Sequence, residues 1–491
     1  MNGWQEAKDG KRVYQITDNT VMNDFSEGLK EGDLDRLYIS YSESRVNLGI
    51  HYYNNRLYSS NLVGICRLQT SDGEYVYDAD GNELLLKVVP RFNVTVVELL
   101  NYIRDDDEFD RYMAPQTVSN RHKEKSIEAI DRNQIFYFFE NEKPLKVDDG
   151  ISSENSIITV TVFLTLLRLL CKRPLMGRML KNEENLTGKV KGKIVIEKNI
   201  RANTMHGRND RFYCRYLHFT DDILENQILK AALRKAKRFI VEYFGDYSKD
   251  NNNYASMISY CSKALSHVSE VQVSGSACTA LKFSGCYAYY KPVMAVARMI
   301  LDDISIESNG EVNTTGYIIP YAISMEKLFE VYVRAYLKKN GISSYKGNRE
   351  HGIMLEKFDD KTDVFADEED LLNPGKYISG AIKPDLILTN QDTGETVVMD
   401  VKYKDFNHGD SRNDRLQLLA YSMMLNANNV GIILPAQVDM EIFDARRINS
   451  MEKRVVKYHQ MLLGISKNDS SIADYIKDNT FEKNSTALEE K

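Results

Sequence analysis

The sequence predicts an α/β (multidomain α+β) protein with an N-terminal β-rich domain, a helical middle region and a C-terminal mixed sheet flanked by helices. A length of 491 residues exceeds one typical domain. Apolar residues alternate with polar ones near the N-terminus, recur at helical spacing in the middle, and follow both patterns in turn near the C-terminus. We place the boundaries at 1–115, 116–310 and 311–468, followed by a polar tail at 469–491 that we expect to fray.

The bulk composition indicates a folded protein without a zinc or disulfide framework. Hydrophobic residues make up 43% of the chain, aromatic residues 10%, and prolines number only 9. The six cysteines form no CxxC pair and the eight histidines show no HxxxH or HExxH spacing. The net charge of −7 argues against a chain that binds polyanions over its whole surface.

The sequence also predicts a cytoplasmic protein. Charges interrupt the first fifteen residues, where a secretory signal peptide requires an apolar core. The most apolar helix candidate, residues 157–171, is too short to span a bilayer and contains Arg168.

Residues 35–100 are expected to form a small sheet or barrel. Apolar and polar residues alternate there between three turn signals, Asn54-Asn55, Asp72-Gly73 and Asp80-Gly81. These signals predict short antiparallel strands.

The middle region is predicted to be mainly helical. Apolar residues recur every three or four positions in 161–180 and 221–244, and 289–303 begins a further helix with its proline in the first turn. Between the first two helices, residues 188–201 alternate like a strand, and residues 245–256 are polar enough to form a loop.

One segment of the middle region carries a local excess of positive charge. Residues 168–201 contain three glutamates against ten basic residues: Arg168, Lys172, Arg173, Arg178, Lys181, Lys189, Lys191, Lys193, Lys198 and Arg201. This surface is interpreted either as a phosphate-contacting region or as an ordinary solvated face. The sequence leaves both interpretations open.

The C-terminal block alternates helices and strands, which favours an α/β layer with a mixed sheet. A helix over 324–341 carries an apolar stripe and ends at Asn340-Gly341, a typical C-cap. The elements expected after it are strands at 381–390 and 396–403, a helix at 413–428, and strands at 430–436 and 438–448.

The sequence contains no nucleotide-binding loop of the GxxxxGK[ST] form. The nearest stretch, GKVKGKIV at 188–195, has the wrong spacing and an isoleucine where a hydroxyl should contact magnesium. If the protein depends on nucleotide hydrolysis, another chain must supply it.

The hairpin expected at 383–404 has the features of a Mg²⁺ site. Asp385 lies near the start of one strand, Asp392-Thr393-Gly394 forms the turn, and Asp400 lies near the end of the return strand, so antiparallel pairing brings the two carboxylates together. Lys402 shares the face of Asp400. Two close carboxylates can hold Mg²⁺ while phosphate and water complete its shell, and a neighbouring ammonium can orient water.

Each of these residues also has a purely structural interpretation. An Asp-x-Lys triplet can arise by chance. Asp400, however, directly follows an apolar run, and a carboxylate at such a position requires a partner. Glu330, on the preceding helix, is predicted either to reach the site or to form an exposed pair with Arg334. Gln417 and Tyr421, one turn apart on the following helix, either support the site or form a packing face with a polar margin.

Taken together, the motifs resemble the PD-(D/E)xK nuclease superfamily. The pattern comprises a helix with Glu330, Pro384-Asp385, fourteen intervening residues, Asp400-Val401-Lys402, and then Gln417 and Tyr421 in a QxxxY arrangement. Asp400 stands where Glu is more frequent. This resemblance implies a restriction-endonuclease-like domain.

Within that superfamily the chain resembles McrC, the nuclease subunit of McrBC-type restriction systems, and the related LlaJI-type subunits. The similar stretches include MEKLFEVYV, KPDLIL, MDVKYK and LQLLAYSMML, with weaker likeness from residue 60 onwards. The resemblance implies a Mg²⁺-dependent endonuclease that cuts double-stranded DNA and stimulates a separate McrB-like AAA+ GTPase hexamer.

The resemblance also implies roles for the site residues. Asp385, Asp400 and the backbone carbonyl of Val401 would bind metal, Lys402 would orient or activate water, and Glu330 would assist. Gln417 and Tyr421 would support the site or contact the DNA backbone.

Two alternatives remain. The chain is either a non-catalytic adaptor that stimulates an AAA+ NTPase, or a DNA repair or transposition nuclease that needs no motor. An adaptor would be expected to lose a member of Asp385, Asp400 and Lys402, and all three are present.

Overall fold

The computed structural model describes most of the chain, and every structural statement below refers to the described residues. These are residues 2–8, 10–30, 48–70, 74–92, 96–103, 116–119, 135–140, 145–146, 149–244, 253–279, 281–306, 312–314, 317–318, 320–342, 344–345, 384–389, 395–404, 412–436, 444–449, 455–464 and 471–480. The turns predicted at Asp72-Gly73 and Asp392-Thr393-Gly394 lie outside them.

The elements alternate along the chain as a mixed α and β structure. The strands are β1 (Gly3–Trp4), β2 (Lys11–Thr17), β3 (Val21–Met22), β4 (His51–Tyr53), β5 (Arg56–Tyr58), β6 (Leu62–Arg67), β7 (Glu83–Val89), β8 (Gln116–Ser119), β9 (Phe136–Glu140), β10 (Leu145–Lys146), β11 (Arg178–Thr187), β12 (Lys193–Ile194), β13 (Arg211–Thr220), β14 (Ile304–Ile306), β15 (Val312–Thr314), β16 (Tyr317–Ile318), β17 (Tyr321–Ser324), β18 (Ser344–Tyr345), β19 (Leu386–Thr389), β20 (Thr396–Val401), β21 (Asn429–Ala436), β22 (Asp444–Asn449) and β23 (Val455–Gly464). The helices are α1 (Val96–Ile103), α2 (Asp149–Cys171), α3 (Ile196–Ala202), α4 (Leu224–Phe244), α5 (Asn253–Ala264), α6 (Ser276–Thr279), α7 (Tyr290–Asp303), α8 (Met325–Lys339), α9 (Arg412–Met424) and α10 (Ser471–Asn479).

The chain folds into two compact units. Unit 1 combines 1–112, 118–137 and 321–491, and unit 2 consists of 113–117 and 138–320. The domain boundaries at 115, 310 and 468 were placed from sequence patterns and stay predictions.

Unit 1 contains a seven-stranded sheet in the order β1-β2-β7-β6-β17-β9-β8. Strands β2 and β7 run parallel, with Thr17 opposite Val89, whereas β6 pairs antiparallel with β7 and with β17. Gly64 on β6 has a φ of +153°, and a Cβ there would lie 2.0 Å from the Tyr321 carbonyl oxygen. Glycine is therefore required where the N-terminal strands meet β17.

The predicted β-rich character of the N-terminal region is confirmed in the described residues. Asn54 and Asn55 both have positive φ and connect β4 to β5, as expected for a two-residue hairpin turn. Gly81, in the third predicted turn, has a φ of +85°.

Unit 1 also contains a six-stranded mixed sheet in the order β18-β19-β20-β21-β23-β22. Strands β19 and β20 form an antiparallel pair, and β20, β21 and β23 run parallel. Helix α9 packs on β20 and β21. Their shared core comprises Val398, Leu418, Tyr421, Ala427, Val430, Ile432, Leu434, Val456, Tyr458 and Leu462.

Helix α8 continues directly from β17 and has the caps that its sequence predicts. The Ser324 side chain accepts a hydrogen bond from the Lys327 amide, and Gly341 follows the last turn with a φ of +77°. The predicted apolar stripe is buried throughout: Met325, Leu328, Phe329, Tyr332, Val333, Tyr336 and Leu337.

Unit 2 is mainly helical, as predicted, with a separate three-stranded sheet in the order β11-β13-β12. The helices predicted over 221–244 and 289–303 are confirmed as α4 and α7. Where β11 approaches these helices, the Tyr290 hydroxyl accepts from the Met176 amide at 2.8 Å and donates to Asn226 Oδ1 at 2.9 Å. This network holds the start of β11 against α4 and α7.

Three secondary-structure predictions were wrong in part. The helix predicted over 161–180 ends at Cys171, before Pro174, and β11 begins at Arg178. Within 188–201, predicted as one strand, only β12 is extended and α3 starts at Ile196. The loop predicted over 245–256 gives way to α5 at Asn253.

The last described segment is packed. Helix α10 lies in the region predicted as a fraying polar tail, yet Ile472, Ala473 and Ile476 are buried. Their three- and four-residue spacing provides an apolar face that holds this helix to unit 1.

Candidate functional site

The β19–β20 hairpin brings the two predicted aspartates together. Leu386 pairs with Met399 in the antiparallel register, and extending this register by one residue places Asp385 opposite Asp400. The Val401 amide donates a 3.0 Å hydrogen bond to Asp385 Oδ2. The sequence prediction that both carboxylates lie at one end of the hairpin is therefore met by the geometry.

The local environment makes the ionised form of Asp385 unfavourable. Burial, the adjacent Asp400 carboxylate and the more distant charge of Glu330 raise the pKa of Asp385 well above its usual range, and the Val401 hydrogen bond opposes this only in part. The Asp400 side chain is itself buried, with the residue 1% exposed. The charges of Asp400 and Glu330 therefore both act on Asp385.

Lys402 supplies a positive charge to this region. Its Nζ lies 2.8 Å from Asp400 Oδ2. Burial opposes the charge on Lys402, but Asp400, and more weakly Asp385 and Asp414, raise the pKa of the ammonium above its usual value. The Lys402 amide donates to the Ile433 carbonyl at 3.0 Å, so the strand pairing extends to this residue.

Glu330 on α8 is part of the same cluster. It is 4% exposed, and its Oε2 accepts a 2.9 Å hydrogen bond from Lys327 Nζ. The predicted alternative of an exposed pair with Arg334 is therefore wrong as to exposure, since both side chains are buried on a helix that packs against the sheet.

Lys327 was missed by sequence reasoning. Burial lowers the pKa of this ammonium, yet Glu330 and, through space, Asp385 raise it above its usual value. Lys327 is therefore a second cation facing the acidic cluster. The available signal was its i,i+3 spacing from Glu330 on the predicted helix.

Gln417 and Tyr421 lie together on α9, beside the cluster. Gln417 Nε2 donates to the Tyr421 hydroxyl at 2.6 Å. Burial raises the pKa of Tyr421, and the charges of Asp400 and Asp385 add to this effect. Tyr421 belongs to the core, as the packing interpretation predicts, and it also lies within electrostatic reach of the carboxylates. A supporting role for Gln417 and Tyr421 stays a prediction.

The donor set of the cluster suits Mg²⁺. This cation prefers oxygen ligands and usually retains several waters, and bringing it to Asp385 and Asp400 would relieve their mutual repulsion. Among the described residues, no group of three or more His, Cys, Asp and Glu side chains converges into a metal site. A cation here would therefore be held by two carboxylates, with backbone, water or phosphate oxygens completing its shell. Val401 lies between Asp400 and Lys402, and its carbonyl role stays a prediction.

A second network, also missed by sequence reasoning, lies just beyond Lys402. The Arg91 guanidinium donates a hydrogen bond to the Tyr403 carbonyl, and its Cζ lies 4.9 Å from the centre of the Tyr403 ring. The Arg91 amide donates to Asp18 Oδ1 at 2.6 Å. Asp18 is fully buried, and burial raises its pKa to about 6, although the Arg91 charge and hydrogen bonds lower it.

The basic segment at 168–201 lies in unit 2, partly on β11, β12 and α3. Some of its charge is neutralised locally: Arg178 pairs with Glu225, Lys198 pairs with Glu183, and Arg201 pairs with Glu197 at 3.1 Å. Lys189 and Lys193 are exposed. A phosphate-contacting role for this surface stays a prediction.

Among the described residues, no helix has both the length and the apolar character that crossing a bilayer requires.

The fold and the clustered residues define a mixed α/β protein with a buried acidic and basic site at the end of a hairpin. The chain matches the family model of the McrBC 5-methylcytosine restriction system component over residues 67–435, and it belongs to this family. The family membership predicted from the motifs is confirmed. No curated protein sequence matches the chain.

Two solved structures from Thermococcus gammatolerans are similar to the chain. A half-complex from a tetradecameric assembly of McrB AAA+ hexamers with bound McrC has 14% identity and a TM-score of 0.38, covering 95% of this chain and 99% of that chain. The cryo-EM structure of the McrBC complex has 14% identity and a TM-score of 0.28, covering 67% of this chain and 88% of that chain.

Proposed function

We propose that this chain is the Mg²⁺-dependent DNA endonuclease subunit of an McrBC-type restriction system. The observation that carries the proposal is the convergence of Asp385, Asp400 and Lys402 at the open end of the β19–β20 hairpin. The register, the burial and the 2.8 Å ion pair support the proposal, because two carboxylates and one ammonium this close together would contact a single phosphate.

The arrangement around these residues supports a PD-(D/E)xK nuclease domain. A helix with an acidic residue precedes an antiparallel hairpin, the second hairpin strand carries Asp-Val-Lys, and a helix leads from it to a parallel neighbour. Asp385, Asp400, Lys402 and Glu330 occupy the positions expected for the motif. Gln417 and Tyr421 occupy the positions expected for its QxxxY extension.

Each side chain has a role that follows from its placement. Asp385 and Asp400, with the Val401 carbonyl, would hold the metal, and Mg²⁺ would supply stabilisation of negative charge on the phosphate and activation of water. Lys402 would orient the attacking water and stabilise developing negative charge. Glu330 would position Lys327 and contribute to the acidic cluster, while Gln417 would hold the Tyr421 hydroxyl beside the site.

We also propose that the chain works with an McrB-like AAA+ GTPase hexamer and stimulates its hydrolysis. The family includes components of a multi-subunit restriction system. The sequence has no nucleotide-binding loop of its own, so the energy for translocation would come from the other subunit. Double-stranded DNA carrying 5-methylcytosine is the substrate that the family description suggests.

Plasmid cleavage tests the catalytic assignment. The full chain is mixed with its cognate AAA+ partner, GTP, Mg²⁺ and 5-methylcytosine-containing plasmid, and Asp400→Ala and Lys402→Ala are compared with the parent. We expect each variant to cut at least about 100-fold more slowly, because metal binding and charge stabilisation are lost.

Lys404→Ala is the matched control. Lys404 lies two residues beyond Lys402, but its Nζ pairs with Asp414 at 2.7 Å rather than with Asp400. We expect this variant to cut like the parent. Equal cleavage by the parent, Asp400→Ala and Lys402→Ala would refute the nuclease assignment, and stimulated GTP hydrolysis without any cleavage would identify a non-catalytic adaptor.

A further inference from the structure

The two parallel strands β2 and β7 of the seven-stranded sheet end side by side. The residues that follow them, Asp18 and Arg91, lie near Tyr403, the residue after Lys402. Thr17 pairs with Val89 at the end of these strands, and the Asp18 amide donates to the Val89 carbonyl at 2.9 Å. Asp18 and Arg91 therefore emerge together. The 2.6 Å hydrogen bond from the Arg91 amide to Asp18 Oδ1 fixes the backbone of Arg91 at this point.

The Arg91 side chain then spans to Tyr403. Its guanidinium donates to the Tyr403 carbonyl, and its Cζ lies 4.9 Å from the Tyr403 ring centre and 5.0 Å from the Phe92 ring centre. The Phe92 and Tyr403 rings meet edge to face at 5.0 Å. Tyr403 also contacts Phe329 of α8, with the ring centres 6.0 Å apart.

These contacts fix the backbone one residue beyond the proposed catalytic lysine. A hydrogen bond to a main-chain carbonyl restrains the peptide itself, and the surrounding rings exclude water, which strengthens the charge-assisted contact. Both Tyr403 and Phe92 are 2% exposed. Because Lys402 and Asp400 share one strand face, a shift of the peptide at Tyr403 would displace the ammonium from the carboxylate.

We propose that Arg91 is a positioning residue for the hairpin site, acting through the Tyr403 carbonyl, and that Asp18 holds Arg91 in place. This arrangement, the Asp18–Arg91–Tyr403 clamp, links the end of the N-terminal sheet to the strand that carries Asp400 and Lys402. The catalytic part of this inference rests on the proposed nuclease function. The ordering of the end of β20 by the clamp does not depend on that function.

Two readouts on the full chain test the clamp. Hydrogen–deuterium exchange is measured over the peptide containing residues 397–404, where the Val401 and Lys402 amides are hydrogen-bonded to Asp385 and Ile433. Plasmid cleavage with the AAA+ partner is measured alongside DNA affinity in Ca²⁺. In Arg91→Ala we expect exchange of this peptide to rise about tenfold and cleavage to fall about tenfold or more, with DNA affinity within about twofold of the parent.

Two further variants control for loss of folding. Arg91→Lys keeps a donor that can reach the Tyr403 carbonyl, so we expect intermediate exchange and cleavage. Arg67→Ala removes a buried arginine of β6, which pairs with Glu83 at 2.6 Å and lies 5.0 Å from the Tyr75 ring centre. Because these contacts do not involve residue 403, we expect parent-like exchange at 397–404 and parent-like cleavage.

The outcomes separate the clamp from the nuclease assignment. Parent-like exchange in Arg91→Ala would overturn the clamp, as would faster exchange with unchanged cleavage in an active parent. An equal effect of Arg67→Ala would also overturn it, since the loss of an arginine without contact to Tyr403 would then have the same result. If the parent and Asp400→Ala both fail to cut, the proposed function fails, whereas the exchange measurement still decides whether Arg91 orders the end of β20.

Discussion

The Lys402 ammonium lies 2.8 Å from Asp400 Oδ2, and only 2% of the Asp400 side chain and 19% of the Lys402 side chain are exposed. Charges this deeply buried depend on each other, because the protein around them replaces the water that would otherwise solvate them. Removing either residue alone would therefore leave the other charge buried without its partner.

Removing one member of this pair should destabilise the protein more than removing both. We expect Lys402→Met to lower the free energy of unfolding by about 3 kcal/mol, because Asp400 would be left buried without its counter-ion. The double variant Asp400→Asn with Lys402→Met should recover most of this loss. Urea denaturation of the parent, both single variants and the double variant measures the coupling, and strictly additive effects would contradict it.

Lys327 should matter to the site although no motif identifies it. We expect Lys327→Met to lower the free energy of unfolding by about 2 kcal/mol or more, since Glu330 is almost fully buried and accepts the lysine's 2.9 Å hydrogen bond. Cleavage should fall as well, because repulsion within the acidic cluster would increase. Glu326→Gln, an exposed neighbour on α8, serves as the control and should leave both measurements near the parent values.

Asp18 should make stability depend on pH. Its folded-state pKa of about 6 lies above the usual value of 3.8, so the folded protein binds this proton more tightly than the unfolded chain does. The resulting stabilisation is fully present below about pH 4 and is lost as the pH rises through 6. We expect the difference in unfolding free energy between the parent and Asp18→Asn to shrink by up to about 3 kcal/mol between pH 4 and pH 7. A constant difference across this range would contradict the assignment.

Neutralising Lys189, between β11 and β12, and Lys193, on β12, tests whether the basic segment at 168–201 contacts DNA. If Lys189 and Lys193 each contact a phosphate, changing both to Gln should reduce the slope of log affinity against log salt by about 2. Lys230→Gln with Lys235→Gln makes the same change in charge on α4, where both ammoniums donate to backbone carbonyls. An unchanged slope in the first variant would assign the basic segment to an ordinary solvated face.

The hairpin site could be predicted because all its determinants are local. Two short apolar runs separated by turn residues predict both strands, and their antiparallel return places Asp385 opposite Asp400 whichever residues form the turn between them. Helix α8 could also be predicted, since its N-cap residue, its apolar stripe and its C-terminal glycine lie in one continuous stretch of sequence.

Features that depend on distant partners could not be predicted. Arg91 and Tyr403 are separated by 312 positions, and nothing near either residue indicates the other. Strand β11, with the sequence RMLKNEENLT, has no amphipathic alternation and is extended because all ten of its residues pair with β13. Strand β23 was missed although it pairs with β21 in parallel and with β22 in antiparallel orientation, because its sequence has no clear period.

The pairing of β6 with β17 has a consequence for synthesis of the chain. Ile65 meets Tyr321, so the sheet that supports α8 stays open until the ribosome has added all of unit 2. Unit 2 is continuous apart from a short segment and can fold while the polypeptide is still growing. The residues of the acidic cluster are synthesised after unit 2, and the β6–β17 pairing that completes the seven-stranded sheet has high contact order and closes slowly. A nascent chain would therefore be expected to acquire any nucleolytic capacity only after its middle region has already taken shape.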